Sequence, residues 1–351
     1  MNADKMQTAV ISGAGLVELV ERDIPVPGPG EALLKVRYSG ICGSDIHAYQ
    51  TGFFPPGMVF GHEYVGEIAG WGEGVSGFAV GETVSGNNLV PCNNCHYCHS
   101  GRQNICPQMQ RIGVFQDGAM AGFLKVPAQS LSKYSASRLI TAALAEPLSV
   151  AFHGVRIAGV ENSDSRSAVI LGAGTIGLCV LAILKEKGLG NIIVLEKDEH
   201  RSSLALKMGA TAVYNPGAKD TPSKVTRVLE ENKEGIIFEC AGNPAAIESA
   251  FDMVGQGGTI VIMSICEKPV ELNFLRLVTG EIRILTSCGK TPEDFNSTLA
   301  LLEQGKVDLS PLIKTIKGLE SVPATLESLS NGTEKAVKVV VEINHGDSSR
   351  G

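Results

Sequence analysis

The sequence predicts an α/β protein that combines a strand-rich, barrel-like domain with a domain built on a doubly wound parallel sheet. Its 351 residues are enough for two ordinary domains, each with its own core. The first 150 residues contain short apolar runs broken by Gly and Pro at close intervals, which is typical of short strands. From about residue 167, apolar strand patterns alternate with helical patterns, and this alternation predicts parallel strands joined by crossover helices.

The pattern changes again after about residue 291. The helical stretch PEDFNSTLALLEQG leads into the strand-like KAVKVVVEI, which does not look like a further βα unit. We therefore assign this segment to the first domain. The tail HGDSSRG is polar and is predicted to be disordered.

The charge and composition exclude several classes of partner. A formal net charge of −7 without a Lys/Arg-rich block provides no electrostatic footprint for nucleic acid or an anionic membrane. No apolar run reaches the roughly 18 residues of a membrane span, and the first residues lack the pattern of a secretory signal. We therefore expect a cytoplasmic protein that binds neither nucleic acid nor a membrane.

Four of the nine cysteines lie within fifteen residues of one polar loop. They are Cys92, Cys95, Cys98 and Cys106. In a reducing compartment such a cluster is more natural as a metal site than as a set of disulfides. Four thiolates complete the tetrahedral shell of a zinc ion, so we predict a structural zinc site. His96 and His99 lie among the cysteines, and we predict that neither binds the metal.

A glycine-rich turn, GAGTIG, follows the predicted strand AVIL and opens an apolar helix. Gly172 permits the tight turn, Gly174 lets the backbone approach a pyrophosphate, and Gly177 lets the helix pack closely on the strand. The first helical residues, Thr175 and Ile176, belong to a helix N-terminus that supplies amide donors and a positive dipole. The segment therefore predicts a dinucleotide-binding site.

The residue that ends the next strand indicates which dinucleotide is bound. Glu196 lies nineteen residues after Gly177, where its carboxylate would accept hydrogen bonds from a ribose 2′-hydroxyl and repel a 2′-phosphate. This favours NAD. Lys197 and Arg201 lie close by and are able to hold a 2′-phosphate, so NADP remains the alternative.

A scattered set of residues offers the ligands of a second metal site. Cys42 lies in GICGSDIH, His62 and Glu63 lie in GHE, and Glu146 lies in AEPL. Each of these residues is a weak signal alone. Together they provide one thiolate, one imidazole and one or two carboxylates, which suits a catalytic zinc with a position left for water or substrate.

These motifs occur in the order found in the zinc-containing medium-chain dehydrogenases, and the chain resembles their sorbitol, threonine and butanediol branch over nearly its whole length. The resemblance implies a GroES-like catalytic domain at residues 1–153 and 291–351. It also implies a zinc lobe at about 88–110 and a Rossmann domain at 154–290.

The resemblance further implies a role for each site residue, with two zinc ions per chain. Cys42 and His62 would bind the catalytic zinc, and either Glu63 or Glu146 would complete the protein shell. Asp45 would accept a hydrogen bond from His62 and so fix its tautomer.

The same resemblance implies a path for the proton. Zinc would act as a Lewis acid on an alcohol, and Ser44 would pass the proton through a ribose hydroxyl to His47 while the nicotinamide accepts a hydride. His153 lies on an apolar helical pattern and is interpreted as a structural histidine.

The predicted substrate is a small secondary alcohol beside a second polar group: a polyol, a sugar-alcohol phosphate, a vicinal diol or an amino alcohol. Ala48 occupies a position where polyol relatives often carry an aromatic residue, so sorbitol itself is in doubt. Lys290 would favour a phosphate if it faced the substrate, although a solvated lysine is the preferred interpretation.

Three alternatives to this function stay open. The stretch FFPPGMVF is able to line a pocket for a simple or hydrophobic alcohol, or to form a packed turn. A binding protein without turnover is disfavoured by the intact ligand set, and a zinc-free quinone reductase is disfavoured by the cysteine lobe. The resemblance also implies a homo-oligomer, a tetramer or a dimer, with the predicted edge strand EIRILTS as its contact.

Overall fold

The computed structural model describes residues 5–163, 165–231 and 234–344. The predicted disorder of HGDSSRG falls on residues 345–351, outside that part. The chain divides into two compact units. The first unit comprises Met1–Glu146, Thr291–Gly305 and Leu312–Gly351, and the second comprises Pro147–Lys290 and Lys306–Pro311.

The strands are numbered along the chain. They are β1 Lys5–Gly13, β2 Leu16–Asp23, β3 Glu31–Ile41, β4 Met58–Val59, β5 Glu63–Trp71, β6 Thr83–Gly86, β7 Leu89–Val90, β8 Gln110–Arg111, β9 Phe123–Pro127, β10 Leu131–Lys133, β11 Ala168–Leu171, β12 Ile192–Leu195, β13 Ala212–Tyr214, β14 Ile236–Glu239, β15 Thr259–Ile262, β16 Arg283–Thr286, β17 Ile313–Lys317 and β18 Lys338–Glu342.

The α-helices are numbered in the same way. They are α1 Gly43–Thr51, α2 His96–His99, α3 Leu139–Ala142, α4 Ala145–Ile157, α5 Thr175–Glu186, α6 Glu199–Lys207, α7 Thr221–Glu231, α8 Pro244–Met253, α9 Phe274–Thr279, α10 Pro292–Glu303 and α11 Val322–Ser330. Among the residues described, none of these helices is long and apolar enough to cross a membrane.

The first unit is rich in strands, as its Gly- and Pro-broken apolar runs predict. Its largest sheet has the order β10-β6-β5-β3-β18-β17, with β9 also paired to β3. A smaller sheet has the order β2-β1-β4, and β7 pairs with β8 beside the cysteine loop. Strand β3 lies inside the large sheet, and Leu34 and Val36 on its buried face pack into the core of the unit. Sheet pairing thus brings the end of β3 beside the start of β5.

The C-terminal segment differs from its prediction. Strands β17 and β18 pair in parallel, with α11 between them in the chain, so the segment does contain a βαβ unit. Strand β17 has no clear signal in the sequence, because only Ile313 and Ile316 are apolar in a strand whose other positions are exposed. This βαβ unit places β18 beside β3, within the large sheet of the first unit.

The second unit contains the predicted doubly wound sheet. All six of its strands are parallel, in the order β13-β12-β11-β14-β15-β16. Strands β11, β12 and β14 are buried at every position, because helices cover both faces of such a sheet. The strand order reverses between β11 and β14, which creates the crevice where this class of sheet binds ligands. The predicted edge position of EIRILTS is confirmed, since β16 ends the sheet.

Candidate functional site

The first site cysteine lies where a strand turns into a helix. Cys42 follows β3 and forms the N-cap of α1 in an extended conformation. Its amide donates a hydrogen bond of 2.8 Å to Oδ2 of Asp45, one turn along the helix. Because Asp45 is fully buried, this bond fixes the cysteine and the carboxylate relative to each other.

Two glycines make room for the next two site residues. Gly61 precedes His62 with a φ of +94°, and a Cβ there would lie 2.9 Å from Oγ of Ser39. Glu63 opens β5 directly opposite Gly40 on β3. A Cβ on Gly40 would lie 2.1 Å from Oε2 of Glu63, so only glycine leaves space for this carboxylate.

The structure brings three of the predicted ligands together. The ligand atoms of Cys42, His62 and Glu63 all lie within 4.8 Å of one another. Glu146 lies in the first turn of α4 and is outside that group, although its charge contributes to raising the pKa of the Cys42 thiol. Of the two carboxylates that the sequence left open, the geometry groups Glu63 with the cysteine and the histidine.

Asp45 faces His62 as the predicted orienting acceptor would. Its Oδ1 lies 3.6 Å from Nδ1 of His62, and within the described chain neither atom has a hydrogen-bond partner. Burial raises the pKa of Asp45 to about 7, against a smaller lowering by His62. With Nδ1 turned toward Asp45, Nε2 is the nitrogen left to bind a metal.

Lys338 is a site residue that the sequence analysis missed. Its Nζ donates to both carboxylate oxygens of Glu63, at 2.7 and 2.8 Å, and to the carbonyl oxygen of Ile41 at 2.9 Å. Only 2% of Lys338 is exposed. Burial is the largest single effect and lowers the pKa of the ammonium, but Glu63, Cys42 and Glu146 together outweigh it, so the pKa is raised. The available signal was a lysine at the start of the apolar run KVVVE.

The side chains of this cluster are a donor set that suits a divalent cation. Asp45, Glu63 and Glu146 are three buried carboxyl groups, and Lys338 is the buried ammonium that pairs with one of them. Burial, and then the Glu63 carboxylate, raise the pKa of the Cys42 thiol. A divalent cation would favour the thiolate and offset the carboxylates, so the donor set fits zinc.

The two predicted relay residues lie on one face of α1. Ser44 and His47 are three residues apart on the helix, and both are exposed. The Ser44 side chain hydrogen-bonds to the Cys42 thiol, which lowers the pKa of that thiol in part. Ser44 is therefore close to the candidate metal ligands, and His47 lies one turn nearer solvent.

The stretch FFPPGMVF contains both buried and exposed aromatic residues. Phe54 and Phe60 are buried in the core of the first unit, as a packed turn predicts. Phe53 is 59% exposed, and its ring lies 5.9 Å from Phe115 and 6.3 Å from His47. An apolar surface therefore adjoins the relay histidine.

The four cysteines of the loop form a compact cluster. The Sγ atoms of Cys95 and Cys98 lie 3.5 Å apart, and two further Sγ pairs are separated by 3.9 Å. Zinc–sulfur bonds of about 2.3 Å in a tetrahedron require sulfur separations of about 3.8 Å. The Asn94 amide lowers the pKa of Cys92 to about 7. His96 and His99 are exposed and outside the group. The cluster therefore fits a closed zinc site.

The glycine-rich turn has the backbone that the motif requires. Gly172 has a φ of +94°, and a Cβ on Gly177 would lie 1.9 Å from the Gly172 carbonyl oxygen. Gly174 is the extended N-cap of α5, which Thr175 and Ile176 begin, and a Cβ there would have no neighbour within 4 Å among the described residues. The loop thus leaves space at the helix N-terminus, where a pyrophosphate fits.

Glu196 is held beside that loop by backbone amides. Its Oε2 accepts from Ala173 at 2.8 Å, and its Oε1 accepts from Lys197 and Asp198. The two carboxylate oxygens offer about four acceptor sites, of which the amides use three, so Oε2 keeps one for a ribose hydroxyl. Arg201 is half-buried, and its amide donates to the Asp198 side chain that caps α6.

The predictions for Lys290 and His153 have different outcomes. Lys290 is only 1% exposed, so its interpretation as a solvated lysine is wrong. Its burial had no signal in the polar segment SCGKTPEDF. His153 is buried on α4, and its Nδ1 lies 3.1 Å from Nη2 of Arg156, which agrees with a structural histidine.

Comparisons with known proteins give consistent matches along the chain. A family described as "Alcohol dehydrogenase GroES-like domain" matches residues 28–136, and one described as "Zinc-binding dehydrogenase" matches residues 175–304. The chain is 34% identical to L-threonine 3-dehydrogenase of Pyrococcus horikoshii, over 92% of this chain and 94% of that protein.

Solved structures extend the similarity. Galactitol-1-phosphate dehydrogenase of Escherichia coli superposes with a TM-score of 0.90 at 25% identity, over 96% of this chain and 99% of that one. A Sinorhizobium meliloti protein solved with NADP bound gives a TM-score of 0.89 at 28% identity, over 97% of this chain and 99% of that one.

The two candidate metal groups predict different responses to loss of one thiol. We expect about two zinc ions per wild-type chain and about one in either Cys42→Ser or Cys98→Ser. Cys98→Ser should also lower the thermal midpoint, because a closed site contributes folding free energy to its lobe, whereas Cys42→Ser should leave the midpoint nearly unchanged. Elemental analysis and calorimetry measure both quantities.

Cys288→Ser provides the control, since Cys288 is exposed and outside both groups. A wild type with at most one zinc, or a Cys42→Ser protein that keeps two, would contradict the assignment.

Proposed function

Since the chain belongs to the zinc-dependent medium-chain alcohol dehydrogenase family, we propose that it oxidises a secondary alcohol beside a second polar group, or reduces the matching ketone, with NAD. One observation carries the proposal: the ligand atoms of a half-buried thiol, a buried imidazole and a buried carboxylate lie within 4.8 Å of one another. A donor set of this kind suits a metal that acts on a substrate oxygen.

The proposal assigns a function to each part of the chain. The GroES-like catalytic domain comprises residues 1–153 and 291–351, with the zinc lobe at about 88–110, and the Rossmann domain comprises 154–290. The grouped cysteines fit the structural zinc of the lobe. None of the nine cysteines, all of which lie in the described part of the chain, forms a disulfide, which suits the reducing cytoplasm, and we propose that location.

Cys42, His62 and Glu63 are proposed to hold the catalytic zinc. When bound, zinc supplies a Lewis acid that polarises the substrate oxygen. Asp45 lies on the Nδ1 side of His62, which leaves Nε2 as the nitrogen for the metal. Glu146 is proposed to orient water or the second polar group of the substrate from outside the ligand shell.

Ser44 and His47 are proposed to carry the proton away from the substrate. Oγ of Ser44 would accept the proton of the substrate hydroxyl while its own hydroxyl proton leaves along the relay to His47, which is exposed one turn further along α1 and exchanges protons with solvent. The exposed position of His47 supports this role, because a group that exchanges protons with bulk water must remain in contact with it.

The relatives support a substrate with neighbouring polar groups. One is named for L-threonine and another for galactitol 1-phosphate, and both substrates carry a hydroxyl close to further polar groups. A site rich in carboxylates suits the amino or hydroxyl hydrogens of such compounds. A simple or hydrophobic alcohol is the second candidate, favoured by the exposed ring of Phe53 and its contact with Phe115.

A panel of polyols, polyol phosphates, vicinal diols, amino alcohols and simple alcohols tests this proposal. We expect the largest kcat/KM for a secondary alcohol with a vicinal polar group, measured by NADH absorbance with zinc present. A primary monoalcohol that surpasses every vicinally substituted compound would reject the proposal in favour of the second candidate.

NAD is proposed over NADP because of Glu196. A buried carboxylate beside the glycine loop would accept the ribose hydroxyls and repel a 2′-phosphate. NADP remains the alternative cofactor, because one similar structure was solved with NADP bound. Arg201 is the cation near Glu196 that would contact its 2′-phosphate.

Glu196→Ala should reduce the preference for NAD by about tenfold, since a hydrogen bond to a charged group contributes about 1.5–3 kcal/mol. The measurement is kcat/KM with both cofactors, together with zinc content, which should not change. Glu199→Ala removes the same charge three residues later from an exposed position and should leave the preference intact. A wild type that uses NADP as well as NAD would contradict the role of Glu196.

A homo-oligomer is proposed to form through the edge of the second unit's sheet. Large apolar side chains are exposed on and near β16 and α9. They are Ile265, Phe274, Leu275, Val278 and Ile284. Such an apolar surface beside an unpaired strand edge favours contact with a second copy of the chain. The proposal is a dimer through this edge, or a tetramer built from two such dimers.

Light scattering of a double variant, Leu275→Asp with Val278→Asp, measures this contact. The wild type should have the mass of a dimer or tetramer, and the variant a lower mass, because two buried carboxylates would oppose association. Leu206→Asp, on the exposed face of α6, should keep the wild-type mass. A monomeric wild type would reject the proposal.

A further inference from the structure

Glu239 is a buried carboxylate for which the proposed mechanism has no use. It ends β14, is 0% exposed, and lies in the strand next to β11. Its Oε1 accepts hydrogen bonds from the amides of Ala241 at 2.8 Å and Gly242 at 2.9 Å. Its Oε2 accepts a hydrogen bond from the hydroxyl of Ser264. One side chain therefore ties the turn after β14 to the turn after β15.

The turn at residues 240–242 packs directly on the glycine loop. The Cys240 amide donates to the Leu171 carbonyl at 2.9 Å, and a Cβ on Gly172 would lie 3.2 Å from Cα of Ala241. Gly242 has a φ of +72°, and a Cβ there would lie 3.1 Å from the Ile265 carbonyl oxygen. The conformation of this turn thus depends on contacts with the loops on both sides of it.

Glu239 has a counterpart on the other side of β11. Leu171, the last residue of β11, pairs with Leu195 on one side and with Glu239 on the other. Glu196 follows Leu195 and also collects backbone amides, three of them. Two carboxylates therefore hold the two turns that flank the glycine loop at the carboxyl edge of the sheet.

The strand order assigns these two turns to different halves of a dinucleotide. A doubly wound sheet consists of two mononucleotide-binding halves, and the ligand crosses the carboxyl edge where the strand order reverses. Here one half contains β11, β12 and β13, with Glu196 in position for the adenosine ribose. The other half contains β14, β15 and β16, so the turns held by Glu239 face the nicotinamide nucleotide.

We infer that Glu239 is a positioning residue for the nicotinamide half of the cofactor, acting through the turn at residues 240–242 and through Ser264. The inference rests on the proposed use of a nicotinamide dinucleotide. Its physical basis is the cost of burying a carboxylate, which three donors offset. Without Glu239 two amides and a hydroxyl lose their acceptor, and the turns lose the contact that holds them together.

A general structural role would give a different result from this local one. If Glu239 only stabilised the fold, its loss would lower the thermal midpoint and change the affinities for all cofactor fragments in equal proportion. A positioning role concerns the nicotinamide nucleotide alone. ADP, which lacks both the nicotinamide and its ribose, therefore separates the two roles.

The experiment measures the dissociation constants of NADH and ADP for the purified full chain by calorimetry, with the emission spectrum of bound NADH as a second readout. If the wild type prefers the phosphorylated cofactor, NADPH and its fragment without nicotinamide and the adjoining ribose replace these two probes. Glu239→Ala should weaken NADH binding by about tenfold and leave ADP binding within about twofold, since an unpaired buried donor costs about 1–3 kcal/mol. The emission maximum of bound NADH should shift toward that of free NADH.

Two variants sharpen the test. Glu239→Gln should restore most of the NADH affinity, because its amide oxygen accepts from both backbone amides and its amide nitrogen donates to Oγ of Ser264. Glu196→Ala is the matched control, and it should weaken NADH and ADP binding by the same factor, because both ligands carry the adenosine ribose.

An equal loss of both affinities in Glu239→Ala, or no loss of either, would overturn the inference. If Glu239→Ala does not fold, Ser264→Ala decides the matter, since it removes one donor and leaves the carboxylate in place. It should show a smaller loss that is again confined to NADH, and an unchanged ratio of affinities would overturn the inference. A wild type that binds neither NADH nor NADPH would overturn the proposed function itself, and the inference with it.

Discussion

The ion pair between Lys338 and Glu63 is the interaction on which the arrangement of the first unit depends. It joins residues 275 positions apart, and neither side chain is more than 2% exposed. The same ammonium donates to the carbonyl of Ile41, the last residue of β3, which immediately precedes Cys42. Lys338 therefore connects β18 both to β3 and to Glu63. Breaking a buried pair of this kind by removing one partner costs about 3–5 kcal/mol, because the other charge remains buried.

Close backbone approach is the second constraint, and it applies to both units. Gly40 leaves room for the Glu63 carboxylate, and Gly177 packs against the Gly172 carbonyl at a distance that no Cβ permits. In each unit a glycine, which has no side chain, lets a functional segment lie directly against a neighbouring strand or loop.

The sequence was informative wherever the signal is local. The GroES-like and Rossmann-type fold, the edge position of β16 and the family are confirmed, because short motifs and strand patterns encode them. Lys338 and Glu239 were missed because their partners come from other strands and loops. The βαβ unit formed by β17, α11 and β18 was missed because β17 is mostly exposed and lacks an apolar pattern. A single sequence displays spacing along the chain, whereas these features depend on tertiary pairing.

The return of the C-terminal segment to the first unit has a consequence for the order of events during biosynthesis. Lys338 leaves the ribosome roughly 15–55 s after Glu63 at about 5–20 residues per second, and the whole sheet of the second unit is translated in that interval. Until Lys338 arrives, the Glu63 carboxylate has no ammonium partner, and the surrounding strands gain little by excluding water from it. The nascent chain is therefore expected to complete its parallel sheet first and its N-terminal barrel last, the reverse of the usual order from N- to C-terminus.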